Sequence, residues 1–273
     1  MILFLLSLLA HLSLATPVPN AHPEARSPSR HSPDLSCLTL PTNPSAATPL
    51  PAPAAHLKLK HVALGVGTQN YTCAVPGSST AKPSSAGALA TLYDIGPFLA
   101  SPLGRTFKNA LPPLALAMYG ALSAGEQNTA WRALVAQMPG AARQASSSSS
   151  SSSDAMLSTA AFGEHFFADV ETALTPTWDL LPNANMYPDE PSQIMWQGKK
   201  EASADAPADA CKGLQGEGAV PWLYLSKAAS SDPEIEEVFR VVTAGGMQPD
   251  TCEGVEGTEI EVKYAAEYWF YGP

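Results

Sequence analysis

Positive charge is scarce in this chain of 273 residues: 15 Lys and Arg stand against 25 Asp and Glu, a formal net charge of −10. No basic run occurs anywhere. That balance argues against nucleic acid or an anionic membrane as a partner. Long apolar runs are also missing after the first 15 residues, so no later segment offers the roughly 20 residues of a spanning helix. The C-terminal end shows no hydrophobic tail of the lipid-anchor type. Cysteine is limited to four positions, Cys37, Cys73, Cys211 and Cys252. They form no Cys-x-x-Cys pair, which excludes the usual zinc cluster and the thioredoxin-type dithiol. Histidine is thin as well. Of six, only His61 and His165 fall in the part that reads as folded.

What is present points to export. Ile2 to Leu14 is an apolar run, followed by Ser13 and Ala15 at the spacing a signal peptidase reads. Residues 1–15 are therefore expected to be a signal peptide cleaved after Ala15, leaving a secreted chain with no membrane attachment. An even cysteine count fits that compartment as two disulfides, with three pairings open. Residues 16–55 are dense in Pro, Ala and Ser and read as a disordered linker.

From residue 56 to 273 the chain reads as one domain. "HLKLKHVALGVGTQNYTCAV" and "GALATLYDI" have strand character. Residues 95–145 differ, with Trp131, Leu134, Val135 and Met138 on one helical face. Pro112-Pro113 and Pro139-Gly140 punctuate this helical insertion. A serine tract, Ser146 to Ser153, follows as a low-complexity tether. "GEHFFADV", "PTWDLL", "AVPWLYLSKA", "EIEEVFRVVTAGG" and "GTEIEVKYAAEYWFYG" then read as short strands, and "GKKEASADAPADACKGLQGEGAV" as loop. Strands joined by Gly/Pro turns predict a mainly β fold, an antiparallel β-sandwich or barrel carrying the insertion.

Gly65-Val66-Gly67 after an apolar run looks like half of a dinucleotide fingerprint. The third glycine position holds Asn70, and β-prone residues ending at Pro76 follow where a helix must begin to hold the pyrophosphate. No nicotinamide cofactor is expected, nor any other. Strand alternation instead puts Gln69, Tyr71 and Cys73 on one face and Asn70 and Thr72 on the other. Buried cystine makes the Cys73 face the inner one. Asn70-Tyr71-Thr72 is the one N-glycosylation sequon in the chain, because Asn43-Pro44-Ser45 is blocked by proline. Asn70 is thus the expected glycan site.

Chemistry-bearing candidates are few. His165 can serve as a general base near neutral pH, with Glu164 or Asp179 as its partner. No spacing calls for a metal. Trp178, Trp222, Trp269, Tyr264, Tyr268 and Tyr271 form an aromatic set that stacks on sugars if exposed and fills a core if not. With Tyr264 in the core, Trp269 and Tyr271 are the exposed pair. Gln69, Tyr71, Trp178 and Glu267 are the candidate binding residues. The test of a site is whether they converge with His165 on one pocket.

"KHVALGVGTQNYTC", "GALATLYD", "GEHFF", "PTWDL", "GAVPWLYL", "VFRVVTAGG", "PDTCEG" and "VKYAAEYWFY" together resemble a fungal secreted family of unknown function with shorter bacterial relatives. Its members often carry the label malate dehydrogenase, which the failed fingerprint does not support here. The resemblance implies that Cys73 pairs with Cys252. Cys37 with Cys211 then follows as the second bridge. The expected function is extracellular or cell-wall binding or structure, with cell-wall or plant polysaccharide as partner. The alternative is an extracellular hydrolase or metal-assisted enzyme centred on His165.

Overall fold

Eight strands follow one another in chain order and close into an antiparallel barrel, the last pairing with the first. The structure is a computed structural model and describes residues 32–107, 109–121, 161–170, 173–184, 186–228 and 231–273. The expected leader, the serine tract and the Trp131–Met138 face lie outside these. The strands are β1 (Lys58–Thr72), β2 (Ser84–Asp94), β3 (Gly163–Val170), β4 (Ala173–Leu180), β5 (Ile194–Ala204), β6 (Trp222–Lys227), β7 (Glu237–Gly245) and β8 (Glu259–Gly272). Of the two β architectures expected, the barrel is the one formed. Between β2 and β3 lie α1 (Gly96–Ala100), a 3-10 turn (Gly104–Phe107) and α2 (Leu111–Ala121).

Eight strands enclose a lumen about wide enough for side chains to fill. Small residues on one side make room for large ones on the other. Ala63, Gly65 and Gly67 of β1 and Ala88 and Ala90 of β2 are opposed by Trp178, Trp196, Tyr264, Tyr268 and Phe270. A methyl group on Gly65 would lie 2.6 Å from the Tyr268 ring. Gly65 of the half-fingerprint thus serves lumen packing, and Gly67 lets the backbone of β2 come close. An all-antiparallel barrel also has no βαβ crossover to build a dinucleotide turn.

The wall formed by β7, β8 and β1 is covered on its outer side too. Val62, Leu64, Val241, Ala265 and Trp269 pack against Ile95, Phe98 and Leu99, and against Leu111 and Leu116 of α2. Burial on both faces explains why "YAAEYWFY" is almost continuously apolar instead of alternating. It also corrects the exposed pair: Trp269 is 0 % and Tyr271 7 % exposed.

Three further expectations change. Pro112 and Pro113 do not separate two pieces. They sit in the first turn of α2, where a missing N–H costs nothing. "GKKEASA" is the second half of β5, because β6 supplies a ladder for residues whose side chains face solvent. The described part of the proline-rich segment, residues 32–55, is not a free linker. Leu35 is buried, and Leu38, Leu40 and Leu50 pack on the outer core. Asn43 Nδ2 donates to Asp205 O at 2.9 Å, and Ala54 N to Glu237 Oε2 at 3.2 Å. Average composition hid three leucines spaced so that an extended strap presents them to the barrel.

Candidate functional site

Strand parity decides which candidates meet. Gln69, Tyr71, His165 and Trp178 all point into the barrel and are buried. Glu267 does not join them. It lies on the outer face of β8, opposite Leu64 and Val241, where it accepts a hydrogen bond from Trp269 Nε1 at 2.9 Å. Glu164 and Asp179 face each other on the outer surface of β3 and β4, so the wall separates both from His165. Asp179 instead accepts from Gln193 Nε2 at 2.8 Å. Asn70 is turned outward as expected, half-buried, with Oδ1 removed from solvent.

His165 is 2 % exposed and stacks on Trp178 at 4.1 Å between ring centroids. Its Nδ1 lies 2.9 Å from Thr177 O. Burial pushes the imidazole down to about 3, and the Arg240 charge pushes the same way. The ring is therefore neutral at physiological pH and donates through Nδ1. An unfolded chain binds the proton more readily. The stabilisation from keeping His165 neutral is complete above about 6.5 and is lost as pH falls from there toward about 3. His165→Gln is expected to flatten the decline of unfolding free energy between pH 7 and pH 4. Urea titrations at several pH values read this, and an unchanged slope removes the role.

Sequence reasoning missed two polar nests. At the end of the barrel where β2 finishes, Tyr187 O–H donates to Asp94 Oδ2 at 2.5 Å and Gly96 N to Asp94 Oδ1 at 3.1 Å. Burial raises the Asp94 carboxyl, while the nearby His61 and these hydrogen bonds oppose the rise. His61 Nε2 stands 2.8 Å from Glu190 Oε2, an ion-pair distance whose alignment is too poor for a hydrogen bond. Among the described residues no group of three His, Cys, Asp or Glu is placed to hold a metal. At the other end, Arg240 of β7 lies among Gln69, Tyr71, Tyr264 and Tyr268, and its charge reaches all three tyrosines. Tyr264 and Tyr268 share a 2.9 Å hydroxyl–hydroxyl bond, and Tyr71 O–H donates to Gly246 O at 2.6 Å.

Outside the barrel, the strap and the wall enclose a groove with two compartments. The first, about 380 Å³, is mainly apolar and lies between Leu38, Leu40, Leu50, Ala204, Trp222 and Tyr271. The second, about 450 Å³, brings polar groups from Thr39, Thr42, Asn109, Asp209 and Thr243 beside Trp222. Thr39 to Thr42 and Trp222 line both. Trp222 is buried, and its Nε1 has no hydrogen-bond partner among the described residues. Val242, on the polar compartment, holds φ at 48°. That left-handed conformation costs a β-branched residue roughly 1–3 kcal/mol, and such strain gathers at functional sites. These volumes fall in the range of small-molecule sites, about 300–1,000 Å³.

One disulfide is formed, Cys73–Cys252, as the resemblance implied. The second is not: Cys37 and Cys211 are free thiols. The strap directs the Cys37 thiol toward Ala100 O, while Cys211 O is bound by Gly245 N at the barrel wall. No helix among the described residues is long and apolar enough to cross a membrane. A family model described as "Protein of unknown function (DUF3455)" matches residues 53–272. No curated protein and no solved structure matches the chain.

Proposed function

The chain belongs to that family of unknown function, and on its barrel we propose an exported, non-catalytic binding protein that takes a saccharide in the groove beneath the strap. The observation that carries this reading is the meeting of two unlike compartments at Trp222. One offers the apolar faces of Trp222 and Tyr271, and the other offers Asp209, Asn109 and threonine hydroxyls. A sugar ring has the same division, with C–H faces that lie on aromatic rings and hydroxyls that bond carboxylates and amides. The apolar leader and the Cys73–Cys252 bridge support export, since such bonds persist in oxidising compartments. An enzyme centred on His165 draws no support from a neutral ring packed on Trp178 with its carboxylate candidates across the wall.

Full-length protein titrated with oligosaccharides from fungal and plant walls is expected to show a saturable change in tryptophan emission. Asp209 and Asn109 are exposed, so Asp209→Ala and Asn109→Ala should fold normally. Each is expected to weaken binding about tenfold through loss of one hydrogen-bonding partner. Titrations that stay flat into the millimolar range, or variants that bind as well as the wild type, overturn the saccharide reading.

A further inference from the structure

Arg240 is 9 % exposed and points into the lumen at the Gln69 end. Burying a guanidinium is unfavourable unless an opposite charge accompanies it. Its Nη2 donates to Pro221 O at 2.9 Å and its Nη1 to Gln69 Oε1 at 3.4 Å. Both acceptors are neutral. No carboxylate among the described residues forms an ion pair with it. The Tyr264 and Tyr268 hydroxyls lie close to Gln69 and Arg240, but Arg240 Nε and the Nε2 of Gln69, itself 8 % exposed, meet no acceptor at good hydrogen-bond geometry among the described residues. Two poorly satisfied donors and one positive charge without a carboxylate therefore share one place.

The wall around this place is incomplete. β2 pairs with β3 only over Ala90–Leu92, and β4 pairs with β5 only over Thr177–Leu180. The outer half of the β3–β4 hairpin thus leaves the ladder on both sides at the Gln69 end. Phe167 and Leu223, inward-facing residues near this end, are only half-buried. Barrel mouths of this kind admit small ligands.

We propose that this end of the barrel is a receptor for a small oxyanion, with Arg240 as its charge and Gln69 as its second donor. A carboxylate suits it best, because its two oxygens match the planar fork of a guanidinium. The site is on the inner face of the wall that bears Trp222 on its outer face, since Trp222 packs with the outer core and Leu223 with the lumen. It stands or falls independently of the saccharide groove.

The test is thermal unfolding of the full chain at constant ionic strength, with acetate, benzoate, phosphate or chloride as the varied anion. At least one oxyanion is expected to raise the midpoint in a saturable way, and chloride is not. Gln69→Ala weakens the response about tenfold. Gln69→Glu supplies the missing carboxylate from within, so it raises the midpoint of the anion-free protein and abolishes the oxyanion response. That variant keeps the test decisive if Arg240→Gln fails to fold. Equal effects of chloride and oxyanions overturn the proposal. So does a Gln69→Glu protein that is destabilised or still responds.

Discussion

Replacing Gly67 by valine is expected to abolish the folded barrel. Gly67 pairs with Ala90 on one side and Tyr264 on the other, in the middle of the longest strand. A methyl group there would lie 1.9 Å from Leu89 O and 2.7 Å from the Ala90 Cα. Those atoms are backbone of the neighbouring strand and cannot swing aside as a side-chain tip can. Relief requires β1 and β2 to separate, which opens the lumen and exposes the core they bury. A loss above about 4–5 kcal/mol is a large part of a domain's total stability. Gly67→Val should therefore show no cooperative transition by circular dichroism. Gly65→Ala provides the contrast. Its methyl group meets the Tyr268 ring, which can shift, so about 1–3 kcal/mol is expected. A folded Gly67→Val protein with the wild-type midpoint would contradict the packing described above. The comparison also separates two readings of the same glycines: a nucleotide turn would lose a ligand on substitution, whereas a barrel strand loses its fold.

Removal of the Cys73–Cys252 bridge is the second large effect. It joins the end of β1 to the β7–β8 loop across 179 residues of sequence. Both cysteines are held by backbone bonds as well, with Cys73 N donating to Thr258 O and Cys252 N to Ala81 O. The chain-entropy relation for so long a loop gives about 5 kcal/mol. For a domain of this size that corresponds to a fall of about 10–20 °C in the unfolding midpoint. The double variant Cys73→Ala and Cys252→Ala should show it by calorimetry. Cys37→Ser with Cys211→Ser should leave the midpoint within about 2 °C, because neither thiol is bridged and neither is fully buried. Equal losses in the two double variants would mean that a second bridge exists after all.

The sequence carried much of the fold in local form. Alternation along "TQNYTC" assigned Gln69, Tyr71 and Cys73 inward and Asn70 outward, and their burial follows that order. Strand parity is a property of a few neighbouring residues, so it can be read without a partner. The inference failed where a second layer covered the strand. Trp269 and Tyr271 obey the parity assigned to them, but the outer face they occupy is closed by the strap and helices. Proline-rich composition misled for a related reason. A segment with little core-forming power of its own can still be ordered when a finished wall offers it an apolar surface.

By itself, then, the sequence determined the mainly β class and the faces of its strands. It also excluded a dinucleotide turn, because these depend on short-range spacing and on the steric limits of single residues. Only the tertiary structure decided that the sheet closes, that Asp179 and Glu267 lie across a wall from His165, and that Cys37 and Cys211 stay apart. It alone brought Arg240 to Gln69, 171 residues away in sequence. Register and barrel closure set those meetings, and both come from pairings between distant strands that no local pattern encodes.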